Sequence, residues 1–366
     1  MIKTLHFILI LFTAAQPFQD KNDLIIIAGG DVNLITKRPD YLASFSLDKN
    51  YYFQELLPVI RQGDIRFCNF EQTVSDETPF PQPYQGKPFV FMGQGEHLDV
   101  LKNAGFNVFC LANNHILDYG RKGLEQTLKA CERRALKHFG AGLNEEEAKK
   151  PLIIESKGRK VAFLGYIQRF PQDFHARGNR EGCPAYMKYS SSGYSERINR
   201  TNARTEFYFK EDIEKIRRSV DLVVVSLHFG PEYLTHPAPY QVQTARAAVD
   251  AGADIVLGHH PHVIQKFERY KDGLIFYSLG NLVFPSYFSD PFIMLAEIRI
   301  SGKKTITGLK IHPFVVKNLR DVNLRMDDYV MFKPVPASGR WLMGYQYMLK
   351  EREMNCHLLD DVFYAF

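Results

Sequence analysis

Three histidines stand together in the segment ADIVLGHHPHVIQ, residues 253–265. Its apolar start, rich in β-branched residues, predicts a strand. Gly258 allows the backbone to leave the strand, so that His259, His260 and His262 follow on a loop. Two histidines one residue apart can reach one metal ion from an extended loop, because neutral imidazole is a common ligand for zinc, iron, nickel and copper. For this segment taken alone, the alternative is a polar loop that merely contains several histidines.

The same order, an apolar run followed by a metal-competent side chain, recurs at four other places in the chain. The side chains that follow these runs are Asp31 with Asn33, Asn69 with Glu71, Asn113, Asn114, His115 and Asp118, and His228 with Glu232 close behind. Open α/β sheets gather their ligands at the carboxyl ends of the strands, so we expect these groups to lie close together. Carboxylate, amide and imidazole donors describe a mixed nitrogen and oxygen site rather than a thiolate site.

Composition excludes several classes of protein. The chain has 366 residues, of which 45% are hydrophobic and 24% charged, as in soluble globular proteins. The net charge of +5 comes without a long block of Lys or Arg, which gives no electrostatic case for binding nucleic acid. The five cysteines are scattered and include no C-x-x-C pair, which argues against a disulfide framework and against a zinc–thiolate site.

The first fifteen residues have the pattern of a short secretory signal peptide. One lysine precedes an apolar run at residues 5–12, and small residues precede Gln16. The run is too short for a membrane span, which needs about 20 apolar residues. We therefore predict that residues 1–15 are removed and that the protein is exported, the alternative being a buried first strand of a cytoplasmic protein.

From residue 24 onward, β-rich runs alternate with helical patterns, which is typical of a layered α/β fold. Helices are predicted at residues 52–61, 97–103, 122–136, 210–219 and 241–251, and strands at 274–284, 292–300 and 304–313. A hairpin is predicted at 150–166. The Pro-rich segment 77–91 predicts a surface loop, and the polar segment 169–210 predicts an insertion or lid.

The motifs GDVNL, NFEQTV, LANNHILDYG, VVVSLHFGPEY, LGHHPHVIQ and IFYSLGNLVF occur in this order between residues 24 and 284. Together they resemble the CapA-type family of bacterial capsule and poly-γ-glutamate synthesis proteins. That family is similar to the calcineurin-like metallophosphoesterases, so the resemblance implies a metallophosphoesterase-like, four-layer α/β/β/α sandwich around a dinuclear metal centre. It predicts one domain over residues 24–320, with the insertion at 169–210, and a C-terminal extension of unknown role at 321–366.

The resemblance also implies a ligand set. The implied metal ligands are Asp31, Asn33, Glu71, Asn114, His228, His260 and His262, for two divalent ions of manganese, zinc or iron. Glu71 takes the place of the carboxylate that bridges the two ions. Asn33 stands where the phosphoesterases have a histidine, and Ile116 stands where they usually have an acid. Both departures leave open whether hydrolytic power is retained.

Catalytic and substrate-binding roles follow from the same resemblance. His115 is expected to protonate the leaving group or to orient the substrate, and Asp118 to fix the tautomer of His115. The alternative for Asp118 is a helix cap or turn residue. Glu232, Tyr233 and Asn281 are expected to contact the substrate, the alternatives being rim positions and a strand-end cap.

Two functions remain open on the sequence alone. The first is a metal-dependent hydrolase in the synthesis or export of an extracellular anionic polymer such as poly-γ-glutamate. The second is a non-catalytic subunit that binds polymer, or a scaffold with a degenerate metal site. The partners expected are an anionic polymer or a small-molecule substrate, and a capsule-synthesis complex at the membrane.

Overall fold

A computed structural model describes residues 21–35, 51–168, 174–186, 207–284, 290–316 and 333–366 of the chain. Within these ranges the helices are α1 (Leu57–Ile60), α2 (Glu96–Asn103), α3 (Gly120–Arg133), α4 (Glu145–Lys149), α5 (Phe209–Arg217), α6 (Pro239–Asp250) and α7 (Arg340–Glu351). The predicted signal segment 1–15 lies outside the described residues. In the part of the chain that the structure describes, no helix is long and apolar enough to cross a membrane.

Most of the strands belong to two large mixed sheets. The ten-stranded sheet contains β1 (Leu24–Val32), β2 (Ile65–Phe70), β5 (Val108–Cys110), β6 (His138–Phe139), β13 (Asn281–Val283), β14 (Phe292–Ser301), β15 (Thr305–Val316), β16 (Pro334–Pro336), β17 (His357–Leu359) and β18 (Val362–Tyr364). The six-stranded sheet contains β7 (Leu152–Ser156), β8 (Arg159–Ile167), β9 (Leu222–His228), β10 (Ile255–His259), β11 (Phe267–Tyr270) and β12 (Gly273–Phe276). A separate pair consists of β3 (Thr73–Ser75) and β4 (Met92–Gln94).

The strands that carry the motifs run parallel to one another. The order of the first sheet is β17-β18-β15-β14-β1-β2-β5-β6, with β13 on β1 and β16 on β15. The order of the second sheet is β11-β12-β10-β9-β8-β7. Parallel pairing joins β1, β2, β5 and β6 in one sheet and β8, β9, β10 and β12 in the other.

The alternation of side chains along β9 shows how the layers are stacked. Leu222 and Val224 lie in the core that contains residues of both large sheets, whereas Val223 and Val225 pack in a second core together with α5 and α6. Successive side chains of a strand point to opposite faces, so one face of this sheet meets the other sheet and the opposite face meets helices. On the far side, α1, α2 and α3 contribute buried residues to the core of the ten-stranded sheet. The predicted four-layer α/β/β/α sandwich is thereby confirmed.

The single strand predicted at residues 274–284 is wrong, because the chain forms two strands there. β12 belongs to the six-stranded sheet and β13 to the ten-stranded sheet, so this segment passes from one sheet to the other. The crossing packs directly against β1, where a Cβ atom on Gly30 would lie 1.9 Å from the carbonyl oxygen of Gly280. Gly280 itself has φ +70°, which glycine adopts without strain. The crossing brings Asn281 beside Asp31.

Other boundaries also differ from the sequence prediction. The helix predicted at 52–61 is confined to Leu57–Ile60, and Pro58 lies in its first turn, where a proline is tolerated because its missing N–H would have no partner within the helix. Of the predicted insertion, residues 174–186 pack onto the domain, where the Ile167 N–H donates to the Pro184 carbonyl at 2.9 Å. The predicted insertion also contains the start of α5, while residues 169–173 and 187–206 lie outside the described residues. Residues 333–366 add β16, β17, β18 and α7 to the ten-stranded sheet and its surroundings.

Candidate metal centre

The register of the parallel strands brings the predicted ligands to one edge of each sheet. In the ten-stranded sheet, Asp31 lies opposite both Asn69 and Asn281. In the six-stranded sheet, His228 lies opposite His259. Because these strands run parallel, their carboxyl ends and the residues that follow them meet at the same edge.

The strand faces decide where these side chains point. His228 follows Leu222 and Val224 at even spacing in β9, so its ring points toward the ten-stranded sheet. His259 holds the equivalent position in β10, and its ring centroid lies 5.5 Å from that of Phe67 in β2. The imidazoles of one sheet therefore meet the carboxylates of the other in the space between the sheets.

Asp31 is fully buried and both of its carboxylate oxygens accept hydrogen bonds. Oδ1 lies 2.8 Å from the Asn69 amide nitrogen and 2.9 Å from His259 Nδ1, and Oδ2 accepts the His260 N–H at 3.2 Å. Burial acts to raise the pKa of this carboxyl, but the hydrogen bond and charge of His259 outweigh it and the pKa falls below its ordinary value. Asp31 is thus held as a carboxylate by donors from both sheets.

Among the described residues, one carboxyl oxygen of Glu71 accepts a hydrogen bond and the other accepts none. Oε2 accepts a hydrogen bond from Asn69 at 3.2 Å, whereas Oε1 is buried and accepts none from the described residues. Around Oε1 stand the Nε2 atoms of His228 at 3.5 Å, His262 at 3.9 Å and His115 at 4.0 Å. Burial, followed by the charge of Asp31, raises the pKa of Glu71 well above its ordinary value. A buried carboxylate oxygen without a donor, surrounded by imidazole nitrogens, is a fitting place for a cation.

Two groups of donor atoms share Glu71. One consists of Asp31, Glu71 and His228, and the other of Glu71, His260 and His262; within each group the ligand atoms lie within 4.8 Å of one another. All of these residues are buried. Imidazole nitrogen with carboxylate oxygen is a donor set that suits zinc, iron and manganese.

Asn114 lies beside the first of these groups. Its Oδ1 is 2.8 Å from His228 Nε2, so the two predicted ligand atoms converge. Burial, followed by the nearby charge of His260, lowers the pKa of His228 well below its ordinary value, which keeps this imidazole neutral and able to donate a lone pair.

The loop after β10 holds two histidines in unusual backbone conformations. His260 has φ 93° and His262 has φ 57°, values that side-chain-bearing residues seldom adopt. The Asn281 Oδ1 atom lies 2.9 Å from His262 Nδ1. Because an amide oxygen can only accept, Nδ1 of His262 carries the proton, and Nε2 is left as the ligand atom on the side of Glu71. Asn281, predicted to contact substrate, thus lies behind His262 and orients it.

His115 and Asp118 form a buried pair beside Glu71. The His115 Nδ1 and Asp118 Oδ2 atoms are 2.6 Å apart, which leaves His115 Nε2 facing Glu71. Burial lowers the pKa of His115 to about 4. The helix-cap alternative for Asp118 does not apply, because α3 begins at Gly120 and its N-cap position is Tyr119.

The remaining predicted residues lie around the cluster. The amide of Asn33 is engaged by backbone, since its Nδ2 donates to the Glu71 carbonyl at 3.1 Å and its Oδ1 accepts the Ile35 N–H at 3.0 Å. These contacts do not direct Asn33 to the donor groups. Tyr233 is 39% exposed, and its ring centroid lies 6.2 Å from that of His262. Glu232 is exposed on the same rim.

Three residues in the cluster were not among the implied ligands or catalytic residues. Asn69 and His259 both contact Asp31, and both stand in the motifs that predicted the site, so position at a strand end was an available signal. Lys87 lies in the Pro-rich loop, yet its side chain is only 8% exposed and its ammonium contacts Asp118. No local pattern in the sequence marks this lysine.

Comparison with known proteins places these residues in a family. The model of the bacterial capsule synthesis protein PGA_cap family matches residues 25–286, a range that contains every predicted metal ligand. This chain belongs to the PGA_cap family. The resemblance read from the sequence motifs is confirmed by this match.

Relatives within the PGA_cap family come from several bacteria. The chain is 36% identical over 235 residues to the capsule biosynthesis protein CapA of Bacillus anthracis, which covers 64% of this chain and 54% of that protein. It is 35% identical over 267 residues to the PGA biosynthesis protein CapA of Bacillus subtilis, covering 71% and 65%. A probable polyglutamine synthesis accessory protein of Mycobacterium tuberculosis is 25% identical over 288 residues, covering 75% and 72%. The chain therefore spans between about half and two thirds of the length of the two Bacillus proteins.

Solved structures resemble the chain more distantly. A hypothetical protein from Thermus thermophilus has a TM-score of 0.43 and 14% identity, covering 85% of this chain and 98% of that one. The 5'-nucleotidase from Candida albicans has a TM-score of 0.42 and 11% identity, covering 91% and 59%.

Proposed function

We propose that this PGA_cap-family chain is a metal-dependent hydrolase with its site between the two sheets. The observation that supports the proposal most strongly is the buried Oε1 atom of Glu71, which accepts no hydrogen bond from the described residues and lies within 4.0 Å of three imidazole nitrogens. A bound cation would satisfy this oxygen, use the lone pair of His262 Nε2 and displace the proton that His228 Nε2 donates to Asn114 Oδ1.

The two donor groups would each hold one ion. Asp31, Glu71 and His228 would hold the first, with Asn114 beside them, and Glu71, His260 and His262 would hold the second. Manganese, zinc and iron are the candidates, because the donors are imidazoles and carboxylates. When bound, such ions generate a nucleophile from water near neutral pH and stabilise negative charge on the group that is attacked.

His115 is the proposed acid–base residue. Its Nδ1 is held by Asp118 at 2.6 Å, which fixes the tautomer and aims Nε2 toward Glu71. Burial lowers the pKa of His115 to about 4, so the imidazole is neutral near pH 7. Its Nε2 atom therefore first accepts a hydrogen bond or a proton from the substrate. Asp118 then stabilises the imidazolium, which can return the proton to the leaving group. Of the two roles expected from the sequence, orientation of the substrate therefore comes first.

The substrate class is taken from the relatives. Their names refer to capsule, PGA and polyglutamine synthesis, and an anionic polymer suits a chain of net charge +5. We therefore extend to this protein a role in making, releasing or exporting an extracellular anionic polymer, as part of a capsule-synthesis complex at the membrane. Export would require cleavage near Gln16. Intact-mass measurement on protein from its native cells tests this, and a cytosolic protein that keeps residues 1–15 would refute it.

The hydrolase proposal is tested with metal-loaded protein on two substrates. A model phosphodiester is tried because the fold resembles phosphoesterases, and poly-γ-glutamate because the family name points to it. The variant His115→Ala should keep its metal and lose about 10²–10⁴-fold in rate, the usual contribution of acid–base catalysis. The matched control is His357→Ala, an exposed histidine of β17, which should leave the rate unchanged. A His115→Ala protein as active as the parent would show that the role of His115 is wrong.

A binding subunit without catalytic activity is the second candidate. It is favoured by Asn33, which stands in place of a histidine and uses its amide on backbone groups. If metal-loaded protein cleaves neither substrate but binds poly-γ-glutamate tightly, this second function is the correct one.

A further inference from the structure

The segment between β3 and β4 is residues 76–91, of which 77–91 were predicted as a surface loop, and much of it is exposed. Both of its ends are nevertheless fixed. At the first end, Arg134 of the α3 C-terminus contacts both carboxylate oxygens of Asp76 at 2.8 Å. At the second end, the Phe91 N–H donates to Asp118 Oδ2 at 2.7 Å. The β3–β4 loop is thereby held against Asp118, the partner of His115.

Asp118 is the centre of these contacts. Its backbone carbonyl accepts the Tyr84 N–H at 2.7 Å, and its Oδ2 atom accepts from Phe91 and from His115. The remaining oxygen, Oδ1, is bonded to the ammonium of Lys87. Asp118 is fully buried, so without Lys87 this oxygen would lose the donor that the structure gives it.

Lys87 also contacts Asn114 and lies close to His115. Its Nζ atom donates to the Asn114 carbonyl at 2.6 Å and lies 3.2 Å from His115 Nδ1. Because Asp118 Oδ2 accepts the Phe91 N–H and Oδ1 is bonded to the Lys87 ammonium, His115 Nδ1 is the donor in its 2.6 Å contact with Oδ2, and Lys87 is packed beside that nitrogen rather than bonded to it. The Phe174 ring centroid lies 5.5 Å from Nζ, which adds a cation–π contact.

We propose that Lys87 is a positioning residue of the candidate hydrolase site, acting through Asp118 and His115. A carboxylate bonded at Oδ2 alone can turn about its side-chain torsions. Bonded at both oxygens, it has one orientation, and the imidazole that it holds then has one orientation too. Lys87 therefore determines the direction of His115 Nε2 toward Glu71, and its bond to the Asn114 carbonyl couples that direction to a predicted metal ligand. This inference rests on the proposed function.

The test compares two variants of Lys87. Lys87→Met keeps the length of the side chain but removes its charge and its hydrogen-bond donors, whereas Lys87→Arg keeps the charge and the donors. Lys303→Met is the matched control, because Lys303 is 89% exposed in the turn between β14 and β15 and its loss changes the net charge equally. Three quantities are measured for each protein: metal content, kcat and KM on the substrate that the parent cleaves, and the ¹⁵N–¹H signal of the His115 ring. That signal is assigned by its absence in His115→Ala.

For Lys87→Met, we expect unchanged metal content, a kcat about 10- to 100-fold lower and a nearly constant KM, since removing a group that orients a catalytic imidazole has effects of this size. The Nδ1–H signal of His115 should shift or broaden. Lys87→Arg should recover the signal and most of kcat, and Lys303→Met should match the parent.

Two outcomes for Lys87→Met overturn the inference. An unchanged His115 signal in Lys87→Met shows that Lys87 does not position the ring, and loss of metal together with the signal assigns Lys87 to holding Asn114 instead. If Lys87→Met does not fold, Lys87→Gln takes its place, because glutamine removes the charge but keeps a polar end, and the same ring signal and metal content decide. A parent protein that cleaves nothing refutes the proposed function, while the ring signal still decides the role of Lys87.

Discussion

Glu71→Gln is the substitution that tests the metal centre most directly. Glu71 is shared by both donor groups, whereas His228 belongs to one and His260 to the other. Glutamine keeps the size of the side chain but removes its charge and replaces one oxygen by a donor. We therefore expect about two ions per parent chain, about one in His228→Ala, about one in His260→Ala and none in Glu71→Gln at the same free metal concentration.

The same arrangement predicts how much each ion stabilises the fold. A ligand at 100 times its Kd contributes about 2.7 kcal/mol to the free energy of unfolding. Two ions under these conditions contribute about 5 kcal/mol to the parent and one ion about 2.7 kcal/mol to each histidine variant. Metal should add nothing to Glu71→Gln. Without metal this variant should be no less stable than the parent, because the amide removes a buried carboxylate oxygen that lacks a donor.

Elemental analysis after gel filtration gives the stoichiometry, and urea unfolding with and without EDTA gives the free energies. The matched control is Glu155→Gln, an exposed carboxylate of β7 that belongs to neither donor group. This control should bind metal as the parent does. Full metal retention by Glu71→Gln would refute the reasoning, as would a metal-free Glu71→Gln protein that is markedly less stable than the metal-free parent.

Two further substitutions probe support of the site and the stability of the sheet that carries it. Asn281→Leu should weaken metal binding about 10- to 100-fold, because His262 loses the acceptor of its Nδ1–H. Asn281→Asp is the control, since it keeps an acceptor. Calorimetric titration measures both affinities, and equal affinity of Asn281→Leu and the parent would contradict the role of Asn281. Burial acts to raise the pKa of Glu297, but the hydrogen bond with His312 and the charge of Lys310 outweigh it and hold that pKa at about 2. This depressed pKa should give about 3 kcal/mol of stability that is present above the ordinary carboxyl range and is lost as the pH falls toward 2. Urea unfolding from pH 7 to pH 2 should show that loss in the parent and not in Glu297→Gln, and identical profiles would contradict the assignment.

The positions of the main candidate ligands could be predicted because the signal is local. An apolar run followed at once by a polar residue places that residue at the carboxyl end of a strand, as Asp31 and His228 show. Parallel pairing then brings such ends together without further information. The alternation of side chains, which directs His228 toward the opposite sheet, is also readable once the strand is known.

What the sequence did not reveal depends on contacts between distant segments. Lys87 and Asp118 are 31 residues apart, and nothing near Lys87 distinguishes it from a solvated lysine. The strands β12 and β13 look like one apolar run, because hydropathy does not show that the chain changes sheets between them, where Gly280 approaches Gly30 closely. Asn33 follows a strand as the residues of the two donor groups do, yet its amide is used by two backbone groups, the Glu71 carbonyl and the Ile35 N–H.

Each donor group draws on both sheets. Glu71 comes from the ten-stranded sheet, whereas His228, His260 and His262 come from the six-stranded sheet or the loop that follows it. Neither sheet can therefore form either donor group by itself, and a chain in which only one sheet has folded contains neither group. An ion at either position would join residues more than 150 positions apart in sequence, in the manner of a cross-link that closes a long loop. A bound ion would then link the two sheets directly, so that separation of the sheets and release of the metal would occur together.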